Sequence, residues 1–105
     1  MDESFKVALE PDGEGWRIAL WGDIDVAADE AVRAALARAL ARTRSHVILD
    51  LSDAAFLDST AINNLVLAHK AAQAASVRLI VQPGPPAVMR TLRIAGIDWL
   101  LGLCD

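Results

Sequence analysis

The chain opens with two short runs rich in apolar residues, Phe5 to Leu9 and Trp16 to Trp21, separated by PDGEG at 11 to 15. Pro, Asp and Gly are turn residues, so the two runs predict a β-hairpin. After the tetrapeptide GDID comes VAADEAVRAALARALAR, in which Val32, Leu36 and Leu40 recur every four residues with Ala35 and Ala39 beside them. That spacing lays one apolar stripe along a helix. Asp29 and Glu30 stand in its first turns and Arg38 and Arg42 near its end, the order that suits the helix dipole.

HVILDL, 46 to 51, is a continuous apolar run bounded by polar residues, which predicts a strand covered on both faces. A second helix is expected from Thr60 to about Ala75, with Ile62, Leu65, Val66, His69 and Ala72 on one face. RLIVQ, 78 to 82, reads as another buried strand. Pro86 is well placed to open a third helix that runs to Ala95 and stops at Gly96, and DWLLGL then reads as a short final strand or turn. The order β-β-α-β-α-β-α requires parallel crossovers after the hairpin, so the expected fold is α/β. It has a mixed β-sheet, an N-terminal hairpin and about three main helices, in one domain over residues 1–105.

Composition narrows the function more than it names it. The 105 residues are 54% hydrophobic and 23% charged, as a packed domain requires. A net charge of −4 argues against non-specific attraction to nucleic acid or an anionic membrane. Arg38, Arg42 and Arg44 read as the solvated end of a helix. Cys104 is the single cysteine, no apolar run is long enough to span a membrane and no signal peptide is visible, so a cytoplasmic protein is expected.

The usual chemical signatures are missing. Neither GxxxxGK[ST] nor GxGxxG occurs, and His46 and His69 are not spaced with cysteines or each other as zinc ligands. His69 falls on the apolar helix face, where a hydrogen-bonded core histidine is the expectation. No GxSxG supports a Ser–His–Asp hydrolase. With no tyrosine and two phenylalanines, a base-stacking platform is not supported, and Trp16, Trp21 and Trp99 read as core or edge residues.

One junction stands out. FLDSTAIN, 56 to 63, sets Asp58, Ser59 and Thr60 side by side at the start of the second helix. A cap needs only one of them, and Asp58 or Thr60 suffices. A phosphoryl group on Ser59 would bring roughly −1.5 to −2 charges to a helix start that tolerates an anion, beside Asp58 and, if GDID lies at the same edge, Asp23 and Asp25. The local fold would survive while an acidic partner would be repelled.

The segment HVILDLSDAAFLDSTAINNLVLAHKAA resembles the signature of the STAS domain family, the anti-sigma factor antagonists. There a strand, a short turn and an Asp-Ser-Ser/Thr-Gly motif lead into a helix. GDID at 22 to 25 resembles the family's Gly-Glu-Leu-Asp turn, with Asp23 in place of Glu, and PPAVMRTLRIAGI at 85 to 97 resembles its third helix. The resemblance implies that Ser59 is a phosphorylation site and that Asp23, Asp25, Asp58, Ser59, Thr60, Ala61 and Asn63 meet a partner. It further implies that the partner is an anti-sigma factor that is also a serine kinase. The kinase would use ATP and Mg²⁺, and a serine phosphatase would reset the switch. The chain itself would carry no cofactor and no catalysis, and would control sigma-factor-dependent transcription. Two places after the serine and four places after it, the family usually has glycines; here stand Ala61 and Asn63, and Ala61 is expected to crowd a partner's surface. A different class of function stays open: a scaffold or regulatory subunit of a larger complex, lipid-transport or stressosome-like, with Ser59 and Thr60 structural.

Overall fold

In the computed structural model, residues 4–102 are described. Four strands, β1 (Phe5–Asp12), β2 (Gly15–Ile24), β3 (His46–Leu57) and β4 (Arg78–Gln82), form one sheet in the order β1-β2-β3-β4. The hairpin pair is antiparallel and the other two pairs are parallel. A single 3₁₀ turn, Val26–Ala28, leads into α1 (Asp29–Arg42); α2 (Ser59–Ala74) and α3 (Pro86–Ile94) follow, and α4 (Trp99–Gly102) ends the described chain. The α/β class, the mixed sheet and the hairpin match expectation. Pro86 occupies the first turn of α3, and Gly96, just beyond its end, takes φ +75°. DWLLGL does not form a strand: Trp99–Gly102 is helical, and Leu100 from it is fully buried. Cys104 lies outside the described residues.

All the helices cover one side of the sheet. Ile18, Leu20, Val47, Leu49 and Val81 point into that side and are almost completely buried, facing Val32, Leu36, Leu65, Val88 and Leu92. The expectation that HVILDL and RLIVQ are covered on both faces is corrected here. Their burial alternates, with Ile48, Asp50, Ile80 and Gln82 only half-buried on the opposite, open face. A continuous apolar run had suggested two-sided burial. The open face instead tolerates isoleucines because they flank a polar cluster: the Arg17 guanidinium donates to Asp50 at 2.8 Å and to Gln82 at 2.6 Å, joining three strands. Burial pushes the Asp50 carboxyl up, but hydrogen bonds from Ser52 and the Arg17 charge outweigh it and hold Asp50 below the ordinary aspartate range.

The tryptophans divide between these surroundings. Trp16 is partly buried, with the Arg42 guanidinium 5.6 Å from its ring centroid. Trp21 stands on the open face, and Trp99, also about half exposed, meets the His69 ring edge-on at 4.9 Å. His69 is half-buried with an aromatic neighbour, not a hydrogen-bonded core histidine. The other histidine ties the hairpin to the sheet: His46 lies 2.8 Å from the Ser45 hydroxyl and 2.9 Å from the Asp12 carboxylate, its ring against Gly15, where a Cβ would collide with it.

Candidate functional site

The site grows out of an irregular half-strand. From Val47 to Asp50, β3 pairs with β2 residue for residue; beyond that, the register shifts twice, between Ala19 and Trp21 and between Gly22 and Asp23. Over the same span β3 advances from Asp50 to Leu57 while β2 advances only from Ala19 to Ile24, so β3 carries two extra residues. These are β-bulges, which bend a strand and re-aim its side chains. Leu51, Ala54 and Leu57 consequently point into the core at intervals of three, whereas Asp53 and Phe56 face outward opposite Trp21 and Asp23. The strand was expected to stop at Leu51. It continues to Leu57, and the turn expected before the Asp-Ser-Thr triplet is bulged strand.

At the end of the bulged segment two helical segments start side by side. The Asp58 N–H donates to the Ile24 carbonyl at 3.2 Å, which holds the two junctions together. Asp25 caps the 3₁₀ turn by accepting from the Ala27 N–H at 3.0 Å, and Asp58 caps α2 by accepting from the Ala61 N–H at 2.9 Å. Two of the three aspartates of the predicted site, Asp25 and Asp58, are therefore engaged structurally, and the expected proximity of GDID to the triplet is realised. Gly22, the first residue of GDID, takes φ +82°, and a Cβ there would strike the Ser4 carbonyl, so glycine is what lets the start of β1 lie close against this turn.

Ser59 is the first residue of α2 and exposed; among the described residues its side chain makes no hydrogen bond. Thr60 is half-buried and also makes none, so Asp58 alone supplies the side-chain cap. Asp23 is exposed on the open face and Asn63 is exposed one turn into the helix. Ala61 does not behave as expected. It is 5% exposed, so its methyl group packs into the core instead of crowding a partner's surface. The reason is helical phase: Ala61, Asn64, Leu65, Ala68 and Ala72 form the buried face of α2, a rotation from the predicted one.

Two features of this region were missed. Asn64 is buried at 3% exposure, and its amide donates to the Asp29 carboxylate at 2.7 Å, while Asp29 also pairs with Arg33 at 3.3 Å. That bond fastens the start of α1 to α2, and its signal was a polar residue between Ala61 and Leu65. The other is a set of exposed apolar side chains on the segments that lead into the two helix starts, with Trp21 48%, Phe56 50% and Val26 70% exposed. Phe56 lies in the same cross-strand row as Asp23, and Trp21 in the same row as Asp53. Among the described residues no group of three His, Cys, Asp or Glu is arranged to hold a metal ion. The Ser45–His46–Asp12 contacts do not involve Ser59. Chemically, the region offers an exposed hydroxyl at a helix start, with exposed apolar side chains and carboxylates on the adjoining segments, features that suit contact with another protein better than catalysis.

Comparison with known proteins agrees with this arrangement. No curated protein sequence matches the chain. Among solved structures, the unphosphorylated form of the anti-sigma factor antagonist SpoIIAA superposes with a TM-score of 0.77 at 21% identity, over 90% of this chain and 84% of that one. An anti-sigma factor antagonist from Mycobacterium paratuberculosis gives 0.77 at 20% identity, over 91% and 81%. The phosphorylated form of the Bacillus SpoIIAA gives 0.71 at 21%, over 90% and 87%. At such identities the likeness is one of fold. The family model described as "Mlab, STAS domain" matches residues 7–102, nearly the whole chain, and this protein therefore belongs to the STAS domain family.

Proposed function

We propose that this STAS protein is an anti-sigma factor antagonist of the cytoplasm, a binding module switched by phosphorylation of Ser59. The observation that carries the reading is the exposure of the Ser59 hydroxyl at the first position of a 16-residue helix whose cap is already supplied by Asp58. The serine is thus free for modification without loss of the cap. In the unphosphorylated state the surface around Ser59 binds an anti-sigma factor that is also a serine kinase, and sigma factor is released. Transfer of the γ-phosphoryl group from the kinase's Mg²⁺-ATP then places a strong anion beside Asp58 and Asp25. The positive end of α2 offsets part of that charge, so the domain stays folded while an acidic partner surface is repelled. A serine phosphatase restores binding. The catalysis resides in these partners.

Incubation with a cognate anti-sigma kinase and ATP, followed by phosphopeptide mapping, tests the reading. Phosphate on Ser59 and a weakened complex for Ser59→Asp are expected; an unmodified Ser59 together with unchanged affinity of Ser59→Asp would overturn it. A second reading is favoured by the description of the matching family model and by Asn63, exposed where the family usually has a glycine. In it the domain is a regulatory or scaffolding subunit of a larger complex and Ser59 only begins a helix. Affinity purification that recovers a transport ATPase or permease, and no kinase, selects that reading.

A further inference from the structure

The outer edge of β1 is long, unpaired and self-complementary, and we propose that it joins the same edge of a second copy of this chain. β1 spans eight residues and ends the sheet, so one side of its backbone has no strand partner. Which groups face outward follows from one bond. The Asp23 N–H donates to the Ser4 carbonyl at 2.7 Å, continuing the register in which Phe5 lies opposite Gly22. Ser4 therefore turns its backbone toward β2. In an antiparallel pair this orientation alternates, so Lys6, Ala8 and Glu10 do the same, and Phe5, Val7 and Leu9 present N–H and C=O groups to the free edge. Pro11 continues the series with a carbonyl only and ends it.

Two such edges meet antiparallel about a two-fold axis at Ala8. Val7 then lies opposite Leu9 of the second copy, and each pair exchanges two backbone hydrogen bonds. Phe5 donates to the Pro11 carbonyl of the second copy at each end. Ala8 faces Ala8 in the closer, non-hydrogen-bonded kind of cross-strand pair, which small side chains fit. On the open face the same register sets Lys6 opposite Glu10, twice. Both residues are exposed and neither has an ion-pair partner among the described residues. Glu10 lies directly across from Arg17, yet that guanidinium is drawn to Asp50 and Gln82, which leaves Glu10 uncompensated among the described residues. On the helix side, Phe5, Val7 and Leu9 are only half-buried, beside a groove of about 440 Å³ walled by Ala31, Ala34 and Ala35 of α1. Trp16, Arg38 and Arg42 also line this groove, and in the paired arrangement the second copy's Val7 and Leu9 lie on the same side of the sheet as the half-buried Phe5, Val7 and Leu9. Lysine and proline commonly guard an edge against pairing, but Lys6 repels a second copy only where no acid answers it, and here Glu10 does. The pairing is isologous and closed, as a two-fold dimer requires.

Sedimentation velocity over a concentration series, into the high micromolar range, tests the inference. The wild-type chain is expected to move from monomer to dimer. Lys6→Glu alone and Glu10→Lys alone each place like charges across the axis and weaken the dimer roughly ten-fold or more. Mixed in equal amounts, the two variants regain opposite charges at both contacts and form a heterodimer, and Lys6→Glu/Glu10→Lys in one chain restores the homodimer. Both positions are exposed, and circular dichroism of each variant verifies the fold. A wild-type chain that stays monomeric throughout, or a dimer indifferent to these charges, would overturn the proposal. So would single variants that fail to pair when mixed.

Discussion

The two halves of β3 obey different rules. From Val47 to Asp50 the strand pairs regularly on both sides, and Val47 and Leu49 are fully buried under the helices. From Leu51 to Leu57 it pairs only with β2, through two bulges, and sends Asp53 and Phe56 outward. The first half is fixed by packing and the second is shaped for presentation. A strand need not end for its function to change; two surplus residues are enough.

The sharpest way to break the contrast is to empty a core position in the regular half. Leu49→Ala is expected to destabilise the fold by about 2–5 kcal/mol, measured by urea denaturation, because the site lies between two paired strands and cannot collapse easily. At the junction, Asp58→Ala removes the bond to the Ala61 N–H and costs about 1 kcal/mol in the same assay, whereas Ser59→Ala changes stability by less than about 0.5 kcal/mol. An equal loss for the two would mean that Ser59 is structural after all.

A smaller effect lies on the open face. Asp50 has a folded-state pKa below its ordinary value of 3.8, so its ionised form stabilises the fold above that value. The contribution fades as the pH falls below 3.8 and through the lower, folded-state value. Asp50→Asn is expected to flatten the acid limb of a stability–pH curve in that window, and an unchanged limb would assign the acid sensitivity elsewhere. Smallest in stability is Phe56→Ala in the bulged half, about half exposed, which should unfold at nearly the same denaturant concentration as wild type. Its consequence is expected in partner affinity, read by titration calorimetry. A loss of stability comparable to that of Leu49→Ala would erase the distinction between the halves.

Legibility in the sequence follows the same division. Helix α1, the hairpin, the start of β3 and the proline-led α3 were readable because period and end signals agree there. The bulged half was not. Leu51, Ala54 and Leu57 recur every three residues, neither the period of a strand nor that of a helix, so periodicity carries the strand only to Leu51. The open face was hidden for another reason: Ile48 and Ile80 are as apolar as core residues, and only the Arg17–Asp50–Gln82 cluster shows which side is wet. Asp58, Ser59 and the nearby GDID could be located from the residues. The inward turn of Ala61 could not, since a helix of mostly small apolar side chains does not reveal its phase within a third of a turn.

The surplus residues of β3 also bear on how such a chain changes over generations. Between the paired positions, Ala55 has no counterpart on β2, and Leu51 and Ser52 together span the single residue Leu20; of that pair Leu51 is buried and Ser52 exposed. Deleting the Ser52 or the Ala55 codon would leave Leu51, Ala54 and Leu57 pointing inward and the outward residues outward, while straightening the strand that aims the serine. An ordinary strand offers no such freedom, because losing one residue exchanges its two faces. Here the core and the surface are encoded separately enough that a lineage has a one-step route to reshape this outward surface while the fold remains.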